Sequence, residues 1–281
     1  MRLCKTIEDI RSYVNAVRSE GKTVGLVPTM GYLHRGHLSL MHEAKGRCDV
    51  VVVSIFVNPT QFGPNEDYQA YPRDLKKDAG LVADAGVDVI FTPDVAEMYP
   101  TGFSSYVEVT GVSEFLCGAS RPGHFRGVAT VVSKLFHIVQ PDMAFFGQKD
   151  FQQLLVIKRM VADLNMTVQI AEVPIVREDD GLAMSSRNVY LTPEGRKAAL
   201  VLSRSLKLAR ELVAQGVLDI PRLREAVVRE INGESLANID YVEIRSIPDL
   251  LPLDKLQGQA LLALAVRFGK SRLIDNTVLE A

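Results

Sequence analysis

Two histidines three residues apart, His34 and His37, stand in the run Val27-Pro28-Thr29-Met30-Gly31-Tyr32-Leu33-His34-Arg35-Gly36-His37. Imidazoles at this spacing suit a metal ion, an anion or simply a solvated loop. Catalytic zinc takes three protein ligands, and no nearby Cys or carboxylate offers itself as the third. Gly36 removes side-chain bulk where a backbone would approach a phosphate. A helix opening at His37 would aim its N–H groups and positive dipole end at such an anion. Neither a Walker A pattern nor a Gly-x-Gly-x-x-Gly fingerprint occurs, so a phosphate here would be held by imidazoles. Gly147-Gln148-Lys149-Asp150-Phe151-Gln152-Gln153 repeats the placement, an apolar run that breaks and then opens a helix. Lys149 can meet phosphate as a point charge; the plainer alternative is a solvated helix start in which Asp150 complements the dipole. Met184-Ser185-Ser186-Arg187 offers two hydroxyls and a guanidinium that suit a polyphosphate, or an ordinary polar hinge. Together the three segments supply cations but no nucleophile paired with a base, which favours electrostatic stabilisation over covalent catalysis.

These segments need strands and helices to hold them. Val24 to Val27 and Val50 to Val57 read as strands buried on both faces, and His37 to Arg47 between them places Leu38, Met41 and Ala44 at helical spacing. Strand, helix, strand implies a parallel right-handed crossover. The alternation continues through a helical stripe of Leu75, Ala79, Val82 and Ala83 before Val87 to Phe91. A second stripe of Val128, Val131, Val132, Leu135 and Val139 precedes Met143 to Phe146, and Phe151 to Leu164 and Val168 to Val173 follow. The first 175 residues are therefore expected to form a doubly wound parallel sheet, with ligands at the carboxyl ends of its strands. After Pro174 the texture changes to a charged segment, then to a long helix beginning near Pro193 with Thr192 as N-cap, and Ala198 to Leu212 reads as the main helix of the region that follows. Tyr241 to Arg245, Leu261 to Arg267 and Arg272 to Asn276 read as strands of a smaller α+β domain spanning residues 176–281.

Composition narrows the function classes. With 32 basic against 34 acidic residues the net charge is -2, so no global signal points to nucleic acid or an anionic membrane. Three cysteines, odd in number and unpaired in spacing, argue against a disulfide framework or a structural zinc and fit a reducing cytoplasm. The lack of a charged-then-apolar leader or a long uncharged apolar run leads to the expectation of a soluble, cytoplasmic protein.

Further motifs carry a resemblance: Ser54-Ile55-Phe56-Val57-Asn58-Pro59-Thr60-Gln61-Phe62, Tyr71-Pro72-Arg73, Ser120-Arg121-Pro122-Gly123-His124-Phe125-Arg126-Gly127-Val128, Gly147-Gln148-Lys149-Asp150 and Ser185-Ser186-Arg187. With the His34-x-Gly36-His37 segment, they make the chain resemble the pantothenate synthetase (pantoate–β-alanine ligase) family along essentially its whole length. That family belongs to the cytidylyltransferase-like nucleotidyltransferases. The resemblance implies an α/β fold, with a Rossmann-like N-terminal domain for nucleotide and pantoate and a smaller C-terminal lid. It implies a cytoplasmic homodimer using ATP with Mg2+, D-pantoate and β-alanine, with no metal held by the protein's own ligands and neither nucleic acid nor membrane as partner. The reaction implied is attack of the pantoate carboxylate on ATP to give a pantoyl adenylate and pyrophosphate, then attack by β-alanine to give pantothenate and AMP.

By that resemblance His34, His37, Lys149, Ser185, Ser186 and Arg187 are the catalytic set. ATP contacts would come from these together with Met30, Gly147, Asp150 and Met184. Gln61 and Gln153 would grip pantoate, with Met30, Asn58 and Tyr71 shaping the organic-substrate pocket. Arg121, His124 and Arg126 lie in a matching segment, His124 reading as structural support. Gln148 departs from the glutamate of some relatives, while Lys149 and Asp150 keep their places. Two other readings remain open from the residues: an adenylyltransferase acting on a phosphorylated acceptor, and a nucleotide- or metal-binding module without turnover.

Overall fold

Runs such as Val24 to Val27 and Val50 to Val53 become strands because β-branched side chains pack well on both faces of a buried pleat. The computed structural model describes residues 1–64 and 66–281. Its elements are β1 (Arg2–Cys4), α1 (Ile7–Ser19), β2 (Val24–Thr29), α2 (Arg35–Arg47), β3 (Val50–Ile55), α3 (Leu75–Asp84), β4 (Val89–Phe91), α4 (Val95–Met98), α5 (Cys117–Ser120), α6 (His124–Val139), β5 (Met143–Gly147), α7 (Phe151–Asp163) and β6 (Gln169–Val173). They continue with α8 (Pro193–Ala198), α9 (Val201–Ala214), α10 (Ile220–Asn232), β7 (Ala237–Ser246), β8 (Gln259–Phe268) and β9 (Ser271–Glu280). The chain divides into two compact units, Met1–Ser113 with Arg121–Gln148 and Gln153–Pro174, and Glu114–Ser120 with Lys149–Gln152 and Ile175–Ala281.

The first unit is built on a six-stranded parallel sheet in the order β1-β4-β3-β2-β5-β6. Successive residues of each strand point to opposite faces. Val27, Val51, Val53 and Phe145 pack with Leu40, Met41 and Ala44 of α2 and Val82 of α3. Leu26 and Val52, of opposite parity and fully buried, face the side where α1 and α6 pack on β2. The doubly wound expectation is met. The order reverses at β2, which has β3 on one side and β5 on the other, and such a switch point opens a crevice at the carboxyl strand ends. Register brings Thr29 opposite Ile55, so the chain segments leaving β2 and β3 start side by side.

The second unit contains an antiparallel sheet, β7-β8-β9. Leu262, Leu264 and Val266 of β8 face a core shared with Leu202 and Leu206 of α9 and Leu223, Val227 and Ile231 of α10. Helix α10 has its apolar residues at i+4 spacing, and Asp219 caps it by accepting from the Arg222 N–H at 2.8 Å.

Two local expectations need correction. Helix α2 opens at Arg35, not His37, because His34 takes the N-cap position. The helix expected from Pro193 onward is capped by Thr192 as read, but it is divided: Leu200 N–H bonds the Lys197 carbonyl and Leu202 N–H the Ala199 carbonyl, tighter i→i+3 bonds that separate α8 from α9. Strand β1 and helices α1 and α10 were outside the sequence reading. Among the described residues no helix is long and apolar enough to cross a membrane.

Helix α6 crosses the 59–61 turn so closely that a Cβ on Gly127 would overlap the Thr60 carbonyl and the Gln61 Cα. Both obstacles are backbone and cannot swing aside. Gly127→Ala should therefore destabilise the protein by about 1–3 kcal/mol. Urea unfolding midpoints will check this, and an unchanged midpoint would refute the close approach.

Candidate functional site

The loop between β2 and α2 is held from below by a buried carboxylate. Asp78 on α3, 1% exposed, accepts from Tyr32 N–H at 2.7 Å and from Leu33 N–H at 2.8 Å. Thr29 adds a second tie, its hydroxyl donating to the Ser54 carbonyl at 2.7 Å and accepting from Gly31 N–H at 3.2 Å. Gly31 sits at φ +83, and a Cβ there would come within 2.9 Å of Asp78 Oδ2, so glycine is required for both backbone and space.

This tether delivers the two histidines to the first turn of α2. The His34 Nδ1 accepts from Gly36 N–H at 3.1 Å, and the His37 Nδ1 accepts from His34 N–H at 3.3 Å. The pair thus forms a reciprocal capping box, a role Ser and Glu usually share. Their ring centroids are 4.0 Å apart. An Nδ1 that accepts carries no proton, so in the neutral ring the proton lies on Nε2. Two imidazoles at a helix N-terminus in that tautomer are paired hydrogen-bond donors suited to an anion.

Beside them, the 59–61 turn after β3 is organised by Asn58, 1% exposed. Its Oδ1 accepts from Tyr99 Oη at 2.8 Å and Thr60 Oγ1 at 2.9 Å, and its Nδ2 donates to the Gly127 carbonyl at 3.1 Å and Gln61 Oε1 at 3.2 Å. Burial pushes the Tyr99 phenol up, keeping it a neutral donor. With Oε1 engaged, Gln61 turns its amide nitrogen to Met30 Sδ at 3.0 Å, bringing two of the residues expected around an organic substrate into contact. Tyr71, buried, sets its ring edge-on to Phe62 at 6.1 Å between centroids. Gln153 stands half-buried in the first turn of α7.

A second network backs Gln61. Arg121 donates to both carboxylate oxygens of Glu66, at 2.6 and 2.5 Å, and its NH1 lies 3.1 Å from His124 Nε2. The opposite ring nitrogen, Nδ1, meets the Gln61 carbonyl at 2.9 Å. Burial pushes the Glu66 carboxyl up, but the bonds and charge of Arg121 outweigh it and hold the group below its ordinary range. His124 therefore supports the 59–61 turn, and Arg126 lies over the Tyr106 ring at 4.1 Å.

The first unit carries Gly147, which closes β5, and Gln148, whose side chain donates to Glu172 at 3.2 Å. The other expected phosphate-binding residues belong to the second unit. Lys149, its side chain 21% exposed, lies 3.9 Å from the Asp150 carboxylate. Residues 176–184 turn back on themselves, with Met184 N–H bonded to the Val176 carbonyl at 3.0 Å. Ser185 then caps a 3-10 turn over Ser186–Tyr190 by accepting from Arg187 N–H at 3.2 Å; Ser186 is buried and Arg187 half-buried.

Asp78 and Glu66 had no place in the sequence reading. Asp78 did leave a signal, a carboxylate on the same helical stripe as Leu75, Ala79 and Val82. Glu66 left none.

The sequence pattern of the pantoate-beta-alanine ligase family matches residues 2–278. The chain belongs to that family of ligases. It is 64% identical over 279 residues to pantothenate synthetase of Pelotomaculum thermopropionicum, covering 99% of each chain, and 60% identical to that of Moorella thermoacetica over 100% of this chain and 99% of the other. The crystal structure of pantothenate synthetase from Thermus thermophilus matches with a TM-score of 0.94 at 49% identity, covering 99% of each chain. The pantoate-beta-alanine ligase of Francisella tularensis, complexed with β-γ ATP and β-alanine, matches with a TM-score of 0.83 at 38% identity, over 99% of this chain and 97% of that one.

The lowered Glu66 pKa has a consequence for stability. A carboxyl whose folded-state pKa is depressed contributes stability that is complete above its unfolded pKa and disappears as pH falls through the folded one. The stability difference between the wild type and Glu66→Gln should be constant above about pH 5 and shrink below it. Urea unfolding of both proteins across that range checks this; a difference independent of pH would refute the pairing.

Proposed function

We propose that the chain catalyses the ATP-dependent condensation of D-pantoate with β-alanine, giving pantothenate, AMP and pyrophosphate through a pantoyl adenylate. The observation that carries this reading is the pair of histidines at the start of α2, each oriented by an Nδ1 that accepts a backbone N–H, which in the neutral ring places the proton on Nε2, the tautomer that donates to a phosphate. Family membership and the ATP and β-alanine in the Francisella tularensis relative support the choice of substrates.

In the first step a pantoate carboxylate oxygen bonds the α-phosphorus, and the bond to the bridging oxygen of pyrophosphate breaks, its electron pair leaving with pyrophosphate. Such an in-line displacement needs placement and charge neutralisation more than a general base. His34 and His37 donate to phosphate oxygens, while Lys149, Ser185, Ser186 and Arg187 neutralise the charge that develops. Met30, Gly147, Asp150 and Met184 line the nucleotide, and residues 1–175 hold nucleotide and pantoate. Gln61 and Gln153 grip pantoate with neutral amides, which bind its hydroxyls and carboxylate without adding like charge. Asn58 acts through Gln61, and Tyr71 walls the pocket. In the second step the β-alanine amine attacks the acyl carbon and AMP departs. Mg2+ would enter with ATP as part of the substrate, its charge neutralising phosphate oxygens. The free, buried cysteines accord with a reducing cytoplasm, and the reading includes a homodimer.

AMP should accumulate only when Mg-ATP, D-pantoate and β-alanine are all present, with pyrophosphate released in step. Pyrophosphate without free AMP, alongside a nucleotide-linked product, would replace the reaction with adenylyl transfer to another acceptor. Single-residue kinetics separate the roles: His34→Ala should slow adenylation about 100- to 1,000-fold, as loss of a transition-state donor does. Gln61→Ala should chiefly raise the KM for pantoate. A near-normal adenylation rate in folded His34→Ala would remove that imidazole from the mechanism.

A further inference from the structure

Strand β9 carries two adjacent buried polar residues, Asp275 at 1% and Asn276 at 6% exposure. Neighbours on a strand point to opposite faces. On one face Asp275 receives both ends of the Arg177 guanidinium, NH1 at 2.6 Å and NH2 at 2.8 Å. The same NH1 reaches the Gly181 carbonyl at 3.0 Å. This bidentate pair ties down the turn that leads directly into Met184-Ser185-Ser186-Arg187. Asn276, on the opposite face, donates from Nδ2 to the Lys149 carbonyl at 2.8 Å. Lys149 and the turn that leads into Met184-Ser185-Ser186-Arg187, distant in sequence, thus meet consecutive residues of one strand.

We propose that Asn276 is a positioning residue for adenylation: through the Lys149 carbonyl it holds the Lys149 backbone in register with the turn that Asp275 anchors. A lysine is a flexible stem with a charged head, so its reach toward a phosphate is set by where its backbone is held. The role assigned to Asn276 is exerted through Lys149. This inference rests on the phosphate-binding role of Lys149 in the proposed function.

The test is single-turnover pyrophosphate release in full-length protein. Asn276→Asp is the main variant; it keeps the shape and replaces the donating amide with an acceptor aimed at a carbonyl. Asn276→Ala is the second, so that failure of one to fold, read by circular dichroism, leaves the other. Either folded variant should slow adenylation about 10- to 100-fold, as small misplacements of a reacting group do. The KM for pantoate should stay within about twofold, because its proposed partners are elsewhere. In a Lys149→Ala background the same substitution should have no further effect, since the residue through which it acts is gone. A wild-type rate in a folded Asn276 variant, or an equal loss with and without Lys149, overturns the proposal. Normal adenylation by Lys149→Ala alone would refute the Lys149 assignment itself, a separate result.

Discussion

One buried carboxylate determines the geometry of the loop that carries the two histidines. The two backbone N–H groups that Asp78 accepts, from Tyr32 and Leu33, would otherwise be unpaired donors in a loop that must turn sharply after β2. Their pairing sets where His34 begins α2, and the start of α2 sets both imidazoles. An aspartate at 1% exposure is costly unless hydrogen-bonded, and here the loop supplies the bonds. Carboxylate and loop therefore depend on each other, and a side chain at position 31 would crowd the carboxylate, its Cβ coming within 2.9 Å of Asp78 Oδ2.

The same design recurs around Gln61. Gln61 is oriented by Asn58 through its side chain and by His124 through its carbonyl, while Glu66 and Arg121 keep the His124 ring from turning. Satisfied networks of this kind rigidify a site, and partial loss is expensive because a buried partner is left unpaired.

Much of this was legible in the sequence, for identifiable reasons. Central strands such as β3 announced themselves as unbroken apolar runs, and the glycine and histidine punctuation after β2 marked a strand-end loop. Strand β1 escaped notice because it is three residues long at the sheet edge, with Leu3 exposed. Helix α10 was missed although Leu223, Val227 and Ile231 keep helical spacing, since the segment around them is largely charged and polar. The capping role of His34 was invisible because imidazole is not an ordinary N-cap. The pairing of Asp78 with a loop 45 and 46 residues away is a product of the folded arrangement, and no local pattern encodes it.

The histidine capping box also restrains motion. A half-turn of either ring about its Cβ–Cγ bond would carry Nδ1 away from the amide it accepts and set a carbon in its place. The first turn of α2 would then lose a bond at the moment the ring changed its presentation. Helix stability and ring orientation are thereby locked to each other: a frayed helix end and a misdirected imidazole are the same event, and the secondary structure itself acts as the detent that keeps both rings in one of their two settings.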